Sequence, residues 1–258
     1  MNTAISDTTF VQTDAADHPV VSRQRWLAAR KTLLEREKEL TRLHDQVARE
    51  RRALPWVRVD KDYVFDTPQG PRRLTELFAG RSQLMVQHFM FAPGWEQGCK
   101  SCSYMADHND GANQHLAQRD VTLLAVSRAP LAELLRFRER MGWQFDWVSS
   151  HGSDFNRDFG VNFDPDALSS VDYNYVEQPF PHIEAPGISV FYRDADGQVF
   201  HTYSRYGRGV EVMMHTYALL DLTPKGRDED ALEFTMAWVR YHDRYEPAAA
   251  VTSACCAS

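Results

Sequence analysis

The chain has 258 residues, 43% of them hydrophobic and 25% charged, which is the composition of a globular protein with length enough to bury a core in one elaborated domain or two small ones. A net charge of −7 argues against nucleic acid or an anionic membrane as partner. No run of about 18 uncharged apolar residues is present to span a bilayer.

The first twenty residues, "MNTAISDTTFVQTDAADHPV", have neither the basic start nor the apolar stretch of a secretory signal, so a cytoplasmic location is expected. Four cysteines are too few and too unevenly spaced for a disulfide scaffold. Residues 1–21 read as a flexible N-terminus. Residues 22–54 read as a helical arm that Ser22 can cap, free of Gly and Pro. Trp26, Leu33, Leu40, Val47 and Leu54 recur every seven residues along it, with Ala29 and Leu43 as an incomplete second row. Such a narrow stripe suits an arm packed along its own domain, or a helix that makes a homodimer.

The stretch "LPWVRVDKDYVFDTPQG" alternates as a strand does, with Val57, Val59, Tyr63 and Phe65 directed inward and a Pro-Gln-Gly turn at its end. A short helix, "LTELFAGR", stops at Gly80. "QLMVQHFMF" is an apolar run suited to a buried strand, and "SYMADHNDGANQHLAQR" continues as helix with Gly111 as its weak point. "DVTLLAVS" is a second buried strand, "PLAELLRFRERM" a second helix with Pro130 in its first turn, and "WQFDWVSS" can add a third strand. Residues 150–187 read as an insertion. "ISVFYRDADGQVFHTYS" is a hairpin around Asp194–Gly197, and "DEDALEFTMAWVRYHDRY" a closing helix. The Ala/Ser-rich tail, 247–258, is expected to be flexible.

The order β-α-β-α-β-β-α makes a mixed central sheet flanked by helices. It is the thioredoxin order. The pair Cys99-Lys100-Ser101-Cys102 falls after the first core strand and opens the first core helix, where a CxxC beside such a pattern reads as a redox motif. The expected fold is therefore α/β, with a thioredoxin-like core over 55–246, an N-terminal helical extension and an insertion before the β-hairpin.

The segments "RRALPWVRVDKDYVFDTPQG", "LFAGRSQLMVQHFMFAPGWEQGCKSCSYMADHNDG", "RDVTLLAVSRAPLAEL", "RMGWQFDWVSSHGSDFNRDFGV" and "TYALLDLTPKGRDED", then "WVRYHDRY", resemble the bacterial DUF899 family over roughly residues 25–245. That resemblance implies a thioredoxin-like fold and a dithiol–disulfide oxidoreductase. "SSHGSDFNRDFGV" also resembles the matching part of peroxiredoxins, but their PxxxTxxC pattern is missing because no threonine lies between Pro93 and Cys99. Peroxidase activity is disfavoured on that ground. Counting back from the hairpin, Ser189 falls where thioredoxins carry a cis-proline beside the cysteines, with Pro186 three residues earlier. Ser189 is thus a candidate for the substrate groove, and the missing proline leaves metal binding open.

A thiolate is the reactive form of cysteine, and the first turn of a helix favours the anion. Lys100 adds a nearby positive charge. These features make Cys99 the attacking thiolate and Cys102 the resolving thiol, with no cofactor required. The substrate would be a disulfide in a protein or a small molecule. In the alternative reading, Cys99, Cys102, His88 and His108 hold copper or zinc, with Met90, His201 and His215 as lesser candidates. The bland reading is two inert cysteines. Trp95 and Glu96 can line a groove before the pair or simply cover it, and Asp107 can relay protons or face solvent. Cys255 and Cys256, vicinal in the tail, can pass electrons to the pair or be bystanders.

Overall fold

The structure is a computed structural model that describes residues 18–246. Most of the expected flexible N-terminus, and the tail that carries Cys255 and Cys256, lie outside the described residues. The chain divides into two compact units, one holding residues up to Ala53 with Leu219–Asp228, the other Leu54–Ala218 with the chain from Glu229 on.

In the first unit, α1 (Arg23–Arg52) starts where Ser22 Oγ accepts the amide of Arg25 at 3.3 Å, and it ends with Arg49, Arg51 and Arg52 against its negative pole. Ion pairs such as Arg30–Glu37 and Lys38–Glu35 run along it. None of its residues is buried, and Trp26, Leu33, Leu40 and Val47 are exposed.

The second unit is built on a six-stranded sheet. Its strands are β1 (Val57–Arg58), β4 (Gln83–His88), β5 (Val121–Ser127), β6 (Asp146–Ser149), β9 (Gly187–Arg193) and β10 (Val199–Tyr206), in the spatial order β1-β10-β9-β4-β5-β6. The strands β4, β5 and β6 are parallel, whereas β9 runs antiparallel to β4 and β10 antiparallel to β9. Helices α2 (Lys100–Asp110) and α3 (Asn113–Ala117) carry the chain from β4 to β5, and α4 (Leu131–Met141) from β5 to β6. Gly111 and Ala112 separate α2 from α3, at the weak point visible in sequence. This is a thioredoxin-like fold.

The pleat of β4 explains the two cores. Leu84 and Val86 join Leu124, Val126, Phe155 and Phe191 on one side. Beyond the strand's end, Phe89 and Phe91 join Ala125, Trp147, Phe137, Cys102 and Ala106. Parallel central strands covered on both faces read in sequence as unbroken apolar runs, as β4 and β5 do. The insertion contains α5 (Phe155–Asp158) and a small hairpin of β7 (Val171–Tyr173) and β8 (Val176–Gln178). Its Val161, Phe163, Val171 and Tyr173 cluster with Tyr206 of β10.

Two sequence expectations are corrected. The segment from Leu54 to Gly70 is not one strand: the charged Asp60-Lys61-Asp62 breaks it into β1 and β2 (Val64–Phe65), which pairs with β3 (Arg72–Arg73). Val57 sits on the sheet edge and is exposed, whereas Tyr63 and Phe65 are buried. The closing helix over 228–245 does not form either. Asp228 and Met236 have φ of 53° and 70°, incompatible with a continuous right-handed helix. Glu229 gathers the chain about its Oε1, which accepts from Tyr217 Oη at 2.8 Å, Met236 N at 3.0 Å and Trp238 Nε1 at 2.6 Å. Tertiary bonds to one carboxylate override helix propensity here. The helical element after the hairpin comes earlier, as a 3₁₀ turn over Gly207–Met213 and α6 (His215–Leu220).

Candidate functional site

The chain leaves β4 at His88 and returns to begin α2 at Cys99, which is the residue that caps that helix. Several contacts fix this return. The amide of Cys99 donates to Met90 O at 3.0 Å, and Cys99 O accepts from Ser103 N at 3.0 Å and Ser103 Oγ at 2.8 Å. A Cβ on Gly98 would stand 2.6 Å from Phe89 Cε1, so only glycine lets the chain pass over that ring. Tyr241, from the segment folded around Glu229, donates to Gly98 O at 2.7 Å. Deeper in, Gln87 Nε2 donates to Cys102 O at 3.0 Å while Gln87 Oε1 accepts from Asn109 Nδ2 at 2.9 Å. The central strand thus grips the first and third turns of α2 through one buried amide.

The two sulfurs are electrostatically unequal. The Cys99 thiol is pulled down to about 7, first because the Cys102 thiol donates to its sulfur, then, against the opposing effect of burial, by the amides of Cys102 and Ser101 and the Ser101 hydroxyl. Those donors belong to the opening turn of the helix, whose unpaired N–H groups favour an anion. Lys100 is exposed, and the groups acting most strongly on the thiolate are Cys102 and Ser101. Cys102, fully buried, is raised well above an ordinary thiol by its bond to Cys99 and by desolvation. Both cysteines are free thiols.

Glu184 adds a further charge. It is buried beside the end of β5, with Oε1 accepting from Arg128 Nε at 2.6 Å. Burial outweighs that guanidinium and pushes the carboxyl up to about 7, and its charge contributes to raising Cys102.

Above the pair lies a cavity of about 340 Å³ whose lining includes Cys99, Ser101, Cys102 and Pro186. Four methionines, Met90, Met105, Met214 and Met236, also line it. A larger opening of about 580 Å³ beside β1 and β10 contains His201 but no cysteine.

Of the residues singled out in the sequence, the structure brings Cys99, Cys102 and Met90 together. Trp95 is half-buried and packs with Cys99 against the aromatic cluster, while Glu96 is exposed in the same loop; neither lines the cavity. Ser189 is corrected: fully buried inside β9, it hydrogen-bonds His88 Nε2 and Ser204 Oγ, each at 2.8 Å, and touches no groove. The neighbour of the cysteines from this part of the chain is Pro186, just before β9 begins. Asp107 is also corrected, because it accepts from Trp143 Nε1 at 2.7 Å and pairs with His242 at 2.7 Å, a brace between segments.

The histidines proposed as metal ligands are placed elsewhere. His88 lies on the opposite face of β4, pushed down to about 3 by burial. His108 Nε2 accepts the Thr216 amide at 3.1 Å, so its Nδ1 donates to Tyr104 O and both ring nitrogens are engaged. His201 bonds Ser204 Oγ at 2.7 Å, and His215 is exposed at the start of α6. Among the described residues no group of three or more His, Cys, Asp or Glu is placed to hold a metal ion. No helix among them is long and apolar enough to cross a membrane.

Sequence reading missed Glu184, Arg128, Met105, Met214 and Met236. One signal was available for the first: an acidic residue in "HIEAPGISV", directly at the mouth of a buried strand.

The family described as "Bacterial protein of unknown function (DUF899)" matches residues 15–245. The chain belongs to that family. No curated protein matches it. Among solved structures, this DUF899 protein is similar to peroxidoxin BcpB from Mycobacterium tuberculosis, with 16% identity over 60% of this chain and 88% of the other and a TM-score of 0.41. It is likewise similar to peroxiredoxin Q from Xanthomonas campestris, with 14% identity over 61% and 89% of the two chains and a TM-score of 0.39. A third is a candidate thiol:disulfide interchange protein DsbE from Chlorobium tepidum, with 12% identity over 64% and 97% and a TM-score of 0.40. The fold assignment for the DUF899 chain rests on its own strand order and crossovers.

Proposed function

We propose that this DUF899 protein is a thiol–disulfide oxidoreductase in which Cys99 attacks and Cys102 resolves. The observation that carries the reading is the placement of the two thiols: Cys99 caps α2 in the lining of the cavity, where the Cys102 thiol and the amides of the opening turn lower it, while Cys102, one turn in, is buried and raised. A thiolate available at neutral pH next to a protonated partner is the state a dithiol reductant needs.

In the first step Cys99 S⁻ attacks one sulfur of a substrate disulfide RS–SR, forming Cys99–S–S–R and releasing RS⁻, which takes up a proton. Once Cys99 is in the mixed disulfide, the negative sulfur that raised Cys102 is gone. Cys102 then loses its proton and attacks the Cys99 sulfur, expelling the second RS⁻ and closing a Cys99–Cys102 bond. The substrate gains two electrons from the dithiol and two protons, one released by Cys102 and one taken from solvent. Glu184, whose own carboxyl titrates near 7, is suited to influence the charge state of Cys102 at that moment. A dithiol reductant returns the pair to its starting state.

The test uses the full chain with Cys255→Ser and Cys256→Ser, so that only the core pair is read. Mild oxidation is expected to remove two thiols per chain, Cys99→Ser to abolish disulfide reduction, and Cys102→Ser to trap a mixed disulfide on Cys99. Failure of the wild-type pair to reduce any disulfide contradicts the proposal. So does copper or zinc bound stoichiometrically as purified and shielding both thiols from alkylation.

A further inference from the structure

We propose that the cavity above Cys99 and Cys102 binds a small, uncharged, apolar disulfide rather than a protein disulfide or a charged peptide disulfide. This inference rests on the thiol–disulfide reading and names its substrate class.

Size is the first argument. At about 340 Å³ the space lies at the small end of ligand sites, enough for short substituents and too little for a peptide segment. Cys99 is only half-exposed and Cys102 is buried, so a disulfide must enter the cavity to meet the nucleophile.

The lining is the second. Met90, Met105, Met214 and Met236 come from four separate parts of the chain and converge on the two sulfurs, joined by Phe180 and Val210. Thioether side chains are apolar, polarisable and unbranched, and they adapt to ligands of varied shape, sulfur-containing ones included. Charge acts in the same direction. Arg208 at the edge bonds Glu211 Oε1 at 2.9 Å, so the lining guanidinium already has a carboxylate partner. A substrate carrying several carboxylates would lose hydration there beside the Glu211 carboxylate, with Arg208 already paired and His182 the one other basic side chain of the lining.

Two substituents R fill the cavity while Cys99 S⁻ attacks the nearer sulfur; one RS⁻ leaves as RSH, and Cys102 displaces the other. The products are two RSH and the Cys99–Cys102 disulfide, with both electrons supplied by the dithiol.

The test is single-turnover oxidation of the reduced full-length Cys255→Ser, Cys256→Ser chain by dipropyl disulfide, by glutathione disulfide and by a disulfide-bonded protein such as insulin. Dipropyl disulfide is expected to react at least about tenfold faster than either, the effect of burying a few methylene groups. Met214→Gln, which places an amide in the lining, is expected to reduce that preference several-fold. Equal rates, or faster oxidation by glutathione disulfide or insulin, overturn the proposal.

A second measurement is independent of turnover. With methyl-13C methionine in the reduced wild-type protein, dipropyl sulfide is expected to shift the signals of Met90, Met105, Met214 and Met236 but not that of Met85 on β4, and thiodiacetate to shift none. Unmoved cavity methyls overturn the proposal. Methyl shifts without oxidation by any disulfide would keep the apolar site and remove the dithiol reading beneath it.

Discussion

Gln87 and His88 are neighbours on one strand, both polar and both buried, yet they serve opposite sides of the sheet. On the Gln87 side the amide grips α2 and sets Cys102 beside Cys99 under an open cavity. On the His88 side the imidazole enters a line of hydrogen bonds, His88–Ser189–Ser204–His201, spaced 2.7 to 2.8 Å, with the His88 end packed against Phe155 and Phe159. The lesson is that a buried polar residue near a cysteine motif earns a chemical role only through the face it occupies. A one-residue step along a strand moves a side chain from the thiols to the far core.

That contrast can be broken first at Gln87. Gln87→Leu strands the Asn109 amide and removes a bond to the Cys102 carbonyl, for a cost of about 1–3 kcal/mol in stability. It should also raise the pH at which Cys99 reacts, since the opening turn of α2 loses its anchor. Denaturant unfolding and the pH dependence of alkylation read both effects. A variant as stable as wild type, with Cys99 unchanged, would show that the strand does not set the helix start.

The two faces also carry opposite pH slopes. His88 is held down to about 3 inside the fold, whereas an unfolded histidine titrates near 6.5. Between those values the unfolded chain binds the extra proton, so stability from this group is present above about 6.5 and is lost as pH falls toward 3. Glu184 is pushed up from 4.5 to about 7, so the folded chain binds the extra proton and stability declines as pH rises through that window. Unfolding curves of His88→Leu and Glu184→Gln against pH should each lack one of these slopes. If the two variants follow the wild-type curve in parallel, neither group titrates as described.

A smaller effect is expected on the chemistry itself. Glu184→Gln keeps an acceptor for Arg128 but removes a negative charge acting on Cys102, so closure of the Cys99–Cys102 bond should move to slightly lower pH. Attack by Cys99 should change less, because the groups that act most on it are Cys102 and Ser101. His88→Leu should leave both steps in place.

The parts legible in sequence are those whose cause is local. The runs that became β4 and β5, the turn at Asp194–Gly197 and the helix opening at Cys99 each carry their signal in consecutive residues. Elsewhere the cause is tertiary. Residues 228–245 have helical composition, but three donors converge on Glu229 and the chain winds around it. The cavity methionines sit at 90, 105, 214 and 236, a spacing with no period to detect. The distance of Ser189 from the hairpin turn points to the groove, but its place within β9 buries it, and Pro186 lines the cavity with the thiols instead.

Of the core pair, Cys99 carries a large thiolate fraction at neutral pH while Cys102 stays protonated beside it. The direct measurement is the rate of iodoacetamide alkylation from pH 4 to 10 on the reduced Cys255→Ser, Cys256→Ser chain, with the modified residue located by mass. Modification confined to Cys99, rising to a plateau through a midpoint near 7, is the expected result. A midpoint at the ordinary value of about 8.5, or Cys102 reacting first, would contradict it.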